Sequence, residues 1–122
     1  MIRQFREGYR LLAKFVIHTV GPVWNGGAHQ EEETLRSCHL NCLTIAQANN
    51  LRSLAFPCIS TGRYRFPLDR AAGIAIGTVT GFLQDHAGME TVCFVCYNEQ
   101  NYEQYAKQLG MQRPPEEAHD GL

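Results

Sequence analysis

The 122-residue sequence predicts an α/β fold in which helices cover both faces of a mostly parallel sheet. Strand-like and helix-like segments alternate along the chain, which is the order that parallel strands with helical crossovers require. The strand-like segments are continuous apolar runs, as expected for strands that are buried on both faces. These two observations predict a three-layer α/β/α architecture.

The first half of the chain predicts two strands and one long helix. Residues 2–5 suit a short edge strand, and Phe15–Val20 predicts a main strand because it is rich in β-branched residues. A turn cluster at Asn25–Gly27 follows. From Glu31 to Asn49 apolar residues recur at helical spacing, with three glutamates in the first turn, where the helix dipole favours them. The predicted inward residues of this helix are Leu35, Cys38, Cys42, Ile45 and Ala46.

The second half predicts two more strands, each followed by a helix. Leu54–Ile59 and Val92–Tyr97 are apolar strand segments. Pro67 suits the first turn of the helix after the former, and Gly110 suits the end of the last helix. The predicted inward residues of these two helices are Ala72, Ala75, Ile76, Val79, Phe82 and Leu83, then Tyr102, Tyr105, Ala106 and Leu109.

The predicted domain organisation and the net charge exclude some classes of protein function. We expect one domain over residues 1–112 and a flexible C-terminal tail over residues 113–122, which is rich in Pro, Glu and His. The net charge of -1 gives no basic footprint, so neither a nucleic acid nor a membrane surface is expected as a partner. No run approaches the ~20 apolar residues of a membrane span, and the N-terminus lacks a signal core, which indicates a cytoplasmic protein.

The cysteine and histidine residues predict no metal site and no cofactor. Five cysteines without a secretory signal indicate reduced thiols. Cys93 and Cys96 lie three apart in a strand and should face opposite sides, so they cannot chelate one ion. Cys38 and Cys42 are expected to be small core residues. Of the histidines, His18 is expected to be partly buried in its strand, and His39 to be exposed on its helix.

The segment that follows Leu54–Ile59 carries the strongest functional signal. In an open α/β sheet, the carboxyl end of a strand and the start of the next helix form one side of a ligand crevice. Backbone N–H groups and the helix dipole favour an anion there. Gly62 permits a close backbone approach, and Tyr64 offers a flat face to a ring. The alternative is an ordinary strand-to-helix turn that contains a glycine.

This segment resembles the second ligand loop of the macrodomains, a family that binds ADP-ribose. Three upstream runs, Gly8–Leu11, Ala13–Trp24 and Leu51–Pro57, are similar to the MacroD-type branch, and the resemblance extends to about Leu109. It implies kinship with O-acetyl-ADP-ribose deacetylases and mono-ADP-ribosyl hydrolases. The loop residues that carry it are Ile59, Ser60, Thr61, Gly62, Tyr64, Phe66 and Pro67.

The resemblance covers only the C-terminal part of a macrodomain. The family's Gly-Asp-Ile/Val-Thr segment, Asn-Ala-Ala-Asn strand and first phosphate loop have no counterpart, which implies a truncated macrodomain lacking the N-terminal strands. In the family, the Asn-Ala-Ala-Asn strand separates the strands that match Phe15–Val20 and Leu54–Ile59. We expect these two strands to close up and pair, or the sheet edge to recruit another chain, since unpaired buried backbone groups are costly. A poorly folded fragment is the remaining alternative.

The resemblance also implies which residues contact the ligand. The backbone of Ser60–Arg63 would hold the diphosphate, and Tyr64 would pack on the distal ribose. Tyr97 would stack on adenine with Asn98 beside it. Tyr97 could instead be the amphipathic end of a buried strand, and Asn98 a turn or cap residue.

Arg63 and Arg65 depart from the family loop, which has a small apolar residue and a glycine at these positions. Their guanidinium groups could pair with phosphate, or they could be solvated surface. Loss of the second glycine could instead block a close approach or a positive φ, so that Arg65 obstructs the pocket.

The expected function is binding of ADP-ribose, of a related nucleotide, or of an ADP-ribosylated protein. No catalytic residue can be named, because the family's catalytic work depends on groups in the missing half, and little or no hydrolase activity is expected. The alternative function is that of a non-catalytic fragment. Such a fragment would act through a homo-oligomer formed at the sheet edge or through strand pairing with a partner.

Overall fold

The computed structural model describes residues 2–6 and 15–110 and consists of strands and helices in alternation. The prediction of a short strand at the start of the chain is confirmed. All three helices begin and end close to their predicted positions, and Gly110 ends the last one in the left-handed conformation. The elements are β1 (Ile2–Arg6), α1 (Glu31–Ala48), β2 (Ser53–Pro57), α2 (Leu68–Asp85), β3 (Thr91–Cys96) and α3 (Glu99–Leu109).

The sheet is parallel, as predicted, and its strand order is β1-β3-β2. The central strand β3 pairs with both others, with Val92 opposite Ile2 and Val95 opposite Pro57. In the part of the chain that the structure describes, β2 pairs with no strand on its other side. Pro57, which has no N–H to donate, is tolerated in such a position.

The core lies against one face of the sheet. Alternate side chains of β3 are buried, and Phe94 lies between the rings of Phe56 on β2 and Tyr105 on α3, with centroid distances of 6.1 and 5.0 Å. All three helices contribute to this cluster. On the opposite face of β2, the side chains of Ser53, Ala55 and Pro57 are exposed among the described residues. The helix residues buried in the core are Cys42, Leu43, Ala46, Ala72, Ala75, Val79, Phe82, Tyr102, Tyr105 and Ala106.

The prediction that Phe15–Val20 forms a main strand is wrong, because the segment has no regular secondary structure. It does not pair with β2 either, so the expected closing-up of the two strands does not occur. The segment contacts α1 instead, where the thiol of Cys38 lies 3.3 Å from the carbonyl oxygen of Val20. A strand needs a neighbour with which to exchange backbone hydrogen bonds, and β-branched composition alone cannot supply one.

Three side-chain predictions are also wrong. His18 is exposed, and Ile45 is 46% exposed on α1. His39, which was expected to be exposed, is buried: it is 1% exposed, with its ring 4.9 Å from that of Phe56 and its Nδ1 3.0 Å from the Leu35 carbonyl oxygen. Burial lowers the pKa of His39, although the contact with Leu35 opposes the shift.

The predicted tail, residues 113–122, lies outside the described residues. Among the helices that the structure describes, none combines the length and the apolar character that a membrane crossing needs.

Candidate functional site

Two turns meet at the carboxyl edge of the sheet and form the candidate site. The first is the loop between β2 and α2, and the second joins β3 to α3. Because β2 and β3 are adjacent and parallel, the residues that follow them emerge side by side. The structure therefore brings all the predicted site residues to one edge: Ser60, Thr61, Gly62, Arg63, Tyr64, Arg65, Tyr97 and Asn98.

The segment Ser60–Arg65, which we call the anion loop, is closed by internal hydrogen bonds. The N–H of Phe66 donates to the carbonyl of Ser60 at 2.9 Å, and the N–H of Arg65 donates to the carbonyl of Gly62 at 3.0 Å. The N–H groups of residues 60–64 donate no hydrogen bond to any residue that the structure describes. N–H groups in a compact turn that have no described acceptor are suited to binding an anion.

Backbone conformation distinguishes the positions within the anion loop. Ser60 and Arg65 have φ values of 68° and 61°, in the left-handed region that favours glycine. Arg65 thus adopts a positive φ at the position where the family has its second glycine. Gly62 lies outside that region, and a Cβ added to it would meet nothing within 4 Å. The fold therefore requires a glycine at position 62 neither for its φ nor for space.

Residues 21–24 support the anion loop from behind. A Cβ on Gly21 would collide with the side chains of Ser60 and Ile59, so only glycine permits this approach. The N–H of Trp24 donates to the carbonyl of Tyr64 at 2.8 Å, and its ring lies 4.8 Å from that of Phe66. The sequence did not reveal this support, because the contact between Gly21 and Ser60 depends on tertiary packing.

Glu31 organises the turn between this support and α1. Its buried carboxylate accepts hydrogen bonds from the N–H groups of Asn25, Gly27 and His29 at 2.7, 3.0 and 2.6 Å. Burial by itself raises the pKa of Glu31, but the hydrogen bonds outweigh it and lower that pKa to about 2. The sequence placed Glu31 in the first turn of the helix, where it lies, but did not reveal these contacts.

The second turn presents an exposed ring and a helix cap. Tyr97 is 58% exposed. Asn98 is the N-cap of α3, and its Oδ1 accepts the backbone N–H of Asn101 at 2.8 Å. The alternative that Asn98 is a cap residue is therefore confirmed. Its side-chain oxygen is thus committed to the helix.

The anion loop carries positive charge without a described counter-ion. Arg63 and Arg65 are both exposed. The ion pairs among described residues are Arg36–Glu33, Arg52–Glu90 and Arg70–Glu32, and these involve neither guanidinium group.

Two thiols lie beneath the anion loop. Cys58 Sγ is 3.7 Å from Cys96 Sγ and 3.6 Å from the carbonyl oxygen of Val95. The contact with Cys96 and burial raise the pKa of Cys58, so the thiol form is favoured. Among the described residues, no three His, Cys, Asp or Glu side chains are grouped as metal ligands.

A parallel α/β sheet with an anion-type loop at its carboxyl edge defines a class of crevice-binding α/β proteins. The family model "Macro domain" matches residues 4–75, and the chain therefore belongs to the macrodomain family. It is 50% identical over 107 residues to the macro domain-containing protein mll7730 of Mesorhizobium japonicum, covering 88% of this chain and 61% of that protein. It is 52% identical over 103 residues to the O-acetyl-ADP-ribose deacetylase of Salmonella typhimurium, covering 84% of this chain and 58% of that enzyme.

Comparison with solved structures identifies the same family. A Trypanosoma brucei macrodomain in complex with ADP-ribose is 41% identical with a TM-score of 0.75, covering 85% of this chain and 43% of that one. An Oceanobacillus iheyensis macrodomain with ADP is 40% identical with a TM-score of 0.72, covering 76% of this chain and 48% of that one. The chain spans about 60% of the length of the curated relatives that it matches.

Proposed function

We propose that this chain binds ADP-ribose, free or attached to a protein, at the carboxyl edge of its sheet. The observation that carries the proposal is the run of N–H groups in residues 60–64 that have no described acceptor. This run lies at the same edge as the exposed ring of Tyr97. The macrodomains of Trypanosoma brucei and Oceanobacillus iheyensis, solved with ADP-ribose and with ADP, support the choice of ligand.

Each residue of the site has a role in this proposal. The N–H groups of the anion loop hold the diphosphate, and Arg63 and Arg65 contribute positive charge to it rather than obstructing the pocket. Tyr64 packs on the distal ribose, and Tyr97 stacks on adenine. Asn98 offers only its NH₂ group to the adenine end, because its oxygen caps α3.

Calorimetry with ADP-ribose, ADP, AMP and pyrophosphate tests the proposal. ADP-ribose should bind, and Tyr97→Ala should weaken its affinity about tenfold, since stacking of a base on an aromatic ring contributes ~1–3 kcal/mol. Tyr97→Phe is the matched control, because it keeps the ring and should keep the affinity. Protein that is folded by circular dichroism and gives no heat with millimolar ADP-ribose would overturn the proposal.

Binding without efficient turnover is the activity that the described residues favour. The Thr61 hydroxyl lies 3.2 Å from the Cys58 carbonyl oxygen and 3.1 Å from Asn101 Oδ1. In the described part of the chain, no imidazole or carboxylate hydrogen-bonds to Ser60 or Thr61 to act as a base. We expect little or no acetate release from O-acetyl-ADP-ribose, the substrate that the name of the Salmonella relative indicates. Multiple turnovers would contradict this.

A cytoplasmic location is part of the proposal. Five free cysteines, two of them with Sγ atoms 3.7 Å apart, suit a reducing compartment. Immunofluorescence of the tagged protein would test it, and an extracellular signal would contradict it.

Self-association is a second candidate function, favoured by two observations. Phe15, Val16 and Val20 are 66, 72 and 78% exposed, and the outer edge of β2 has no described strand partner. Exposed apolar side chains and an open strand edge are typical of interaction sites. Light scattering over a concentration series distinguishes this function from simple nucleotide binding, because only self-association raises the mass as the concentration rises.

A further inference from the structure

Asn101 connects the two turns of the candidate site. It lies on α3 and is 9% exposed. Its Oδ1 lies 3.1 Å from the hydroxyl oxygen of Thr61 in the anion loop, and its Nδ2 donates to Asn98 Oδ1 at 2.9 Å. A single buried amide therefore contacts the diphosphate side and the adenine side of the crevice.

The hydrogen-bond pattern fixes the orientation of this amide. Asn98 Oδ1 accepts the backbone N–H of Asn101, so the atom at that position must be the oxygen. Asn101 must then present its NH₂ group to Asn98 and its oxygen to Thr61. The hydroxyl of Thr61 has one proton, which it shares between Asn101 Oδ1 and the Cys58 carbonyl. The Thr61 side chain is thus held inward, and its N–H is left for the ligand.

We propose that Asn101 is a positioning residue that holds the anion loop at a fixed distance from the Tyr97–Asn98 turn. A ligand with a diphosphate and an adenine must reach both turns at once, and a crevice that is already correctly spaced loses less entropy on binding it. In this role Asn101 acts through Thr61 and Asn98, to which it is hydrogen-bonded. The inference rests on the proposed function for the identity of the ligand, but the bridge is a property of the free protein.

A double-mutant cycle with Asn101→Ala and Thr61→Val tests the proposal. Each single variant should lose about tenfold in affinity for ADP-ribose, and the double variant should lose about the same, because both changes break one bridge. Pyrophosphate and AMP each engage mainly one turn, so their affinities should change less than threefold. Thr61→Ser keeps the hydroxyl and should restore binding. Gln100→Ala, exposed one residue away on α3, is the matched control.

The same variants give a readout that needs no ligand. The buried N–H of Phe66, bonded to the carbonyl of Ser60, reports the order of the anion loop through hydrogen exchange. Its exchange should be at least fivefold faster in Asn101→Ala and in Thr61→Val than in wild type. In Gln100→Ala its exchange rate should equal that of wild type. If wild-type protein binds no ADP-ribose but this faster exchange is observed, the proposed function is wrong. The role of Asn101 as a bridge between the two turns is then still supported. Unchanged exchange, an additive cycle, or equal losses for all three ligands would overturn the inference.

Discussion

In the anion loop the glycine lies outside the left-handed region, whereas two non-glycine residues, Ser60 and Arg65, have a positive φ. Gly62 has neither a positive φ nor a crowded Cβ position, whereas Arg65 has a φ of 61°. A glycine that the fold does not need is explained most simply by something outside the chain that approaches its backbone. A non-glycine residue held at positive φ is a small local strain, and such strain is frequent at ligand-binding loops.

Gly62→Ala should separate binding from folding. The added methyl group meets no described atom, so the free energy of unfolding should change by less than about 0.5 kcal/mol. If the ligand approaches the backbone of Gly62, the methyl group should weaken ADP-ribose binding at least tenfold by calorimetry. Gly77→Ala on α2, also with open space, is the control and should raise stability by about 0.5–1 kcal/mol without changing affinity. Wild-type binding by Gly62→Ala would show that the ligand does not lie there.

Arg65→Gly should relieve the strain of the loop. The left-handed conformation costs a non-glycine residue about 1–2 kcal/mol, and the larger entropy of glycine in the unfolded chain offsets part of the gain. Arg63→Gly removes the same charge without a positive φ, so it should only destabilise. In urea unfolding, the free energy of unfolding of Arg65→Gly should therefore be about 1 kcal/mol or more higher than that of Arg63→Gly. Equal stability of the two variants would contradict the strained conformation of Arg65.

At the scale of whole elements, the sequence alone predicted those elements whose structure depends on the local pattern of residues. The stripe of apolar residues located α1, although Ile45 is exposed and His39 is buried, and Gly110 marked the end of α3. The strand prediction for Phe15–Val20 was wrong because a strand forms only by pairing with a second segment. The composition of one segment does not indicate whether such a neighbour is present. The cap at Asn98 was among the alternatives that the sequence offered, because asparagine is a favoured N-cap residue. The contact of Asn101 with Thr61 could not be predicted, because it depends on tertiary packing.

The turn before α1 should be sensitive to acid through Glu31. Its pKa of about 2 in the folded protein lies below its ordinary value of 4.5, so the unfolded chain binds the proton more readily. The stabilisation is present above about pH 4.5 and is lost as the pH falls towards 2. Glu31→Gln should therefore be less stable than wild type at pH 7, with the difference shrinking at pH 3 in urea titrations. Glu33→Gln is the exposed control, and an equal effect there would contradict the role of Glu31.

The contribution of the α1–β2 contact to protein stability should also depend on pH, through His39. Burial lowers the pKa of His39, so below its ordinary pKa of 6.5 the unfolded chain takes up the proton first and the folded state loses stability. Its Nε2 has no described partner, so His39→Leu sacrifices little polar contact there. This variant should lose less stability than wild type between pH 7 and pH 5. Parallel pH profiles for the two proteins would contradict the prediction.

At the scale of the whole molecule, the described elements leave a surface that a stable domain would normally cover. One face of the sheet carries the core, and β2 has an outer edge with no described partner. Phe15, Val16 and Val20 are exposed in the segment that contacts α1. The proposed nucleotide site lies at the carboxyl edge of the sheet, and none of its proposed ligand-binding residues belongs to this surface. Binding and association should therefore be separable by mutation.

Val16→Lys with Val20→Lys should reduce self-association and leave nucleotide binding intact. Charged side chains at an apolar contact lose their hydration and repel their counterparts in a second copy. Light scattering should show the wild-type mass rising with concentration and that of the double variant staying at one chain. Ile45→Lys, which places a charge on a similarly exposed apolar position of α1, should behave as wild type. A wild-type protein that stays monomeric at all concentrations would remove self-association as a function, and association equal in all variants would locate it elsewhere on the surface.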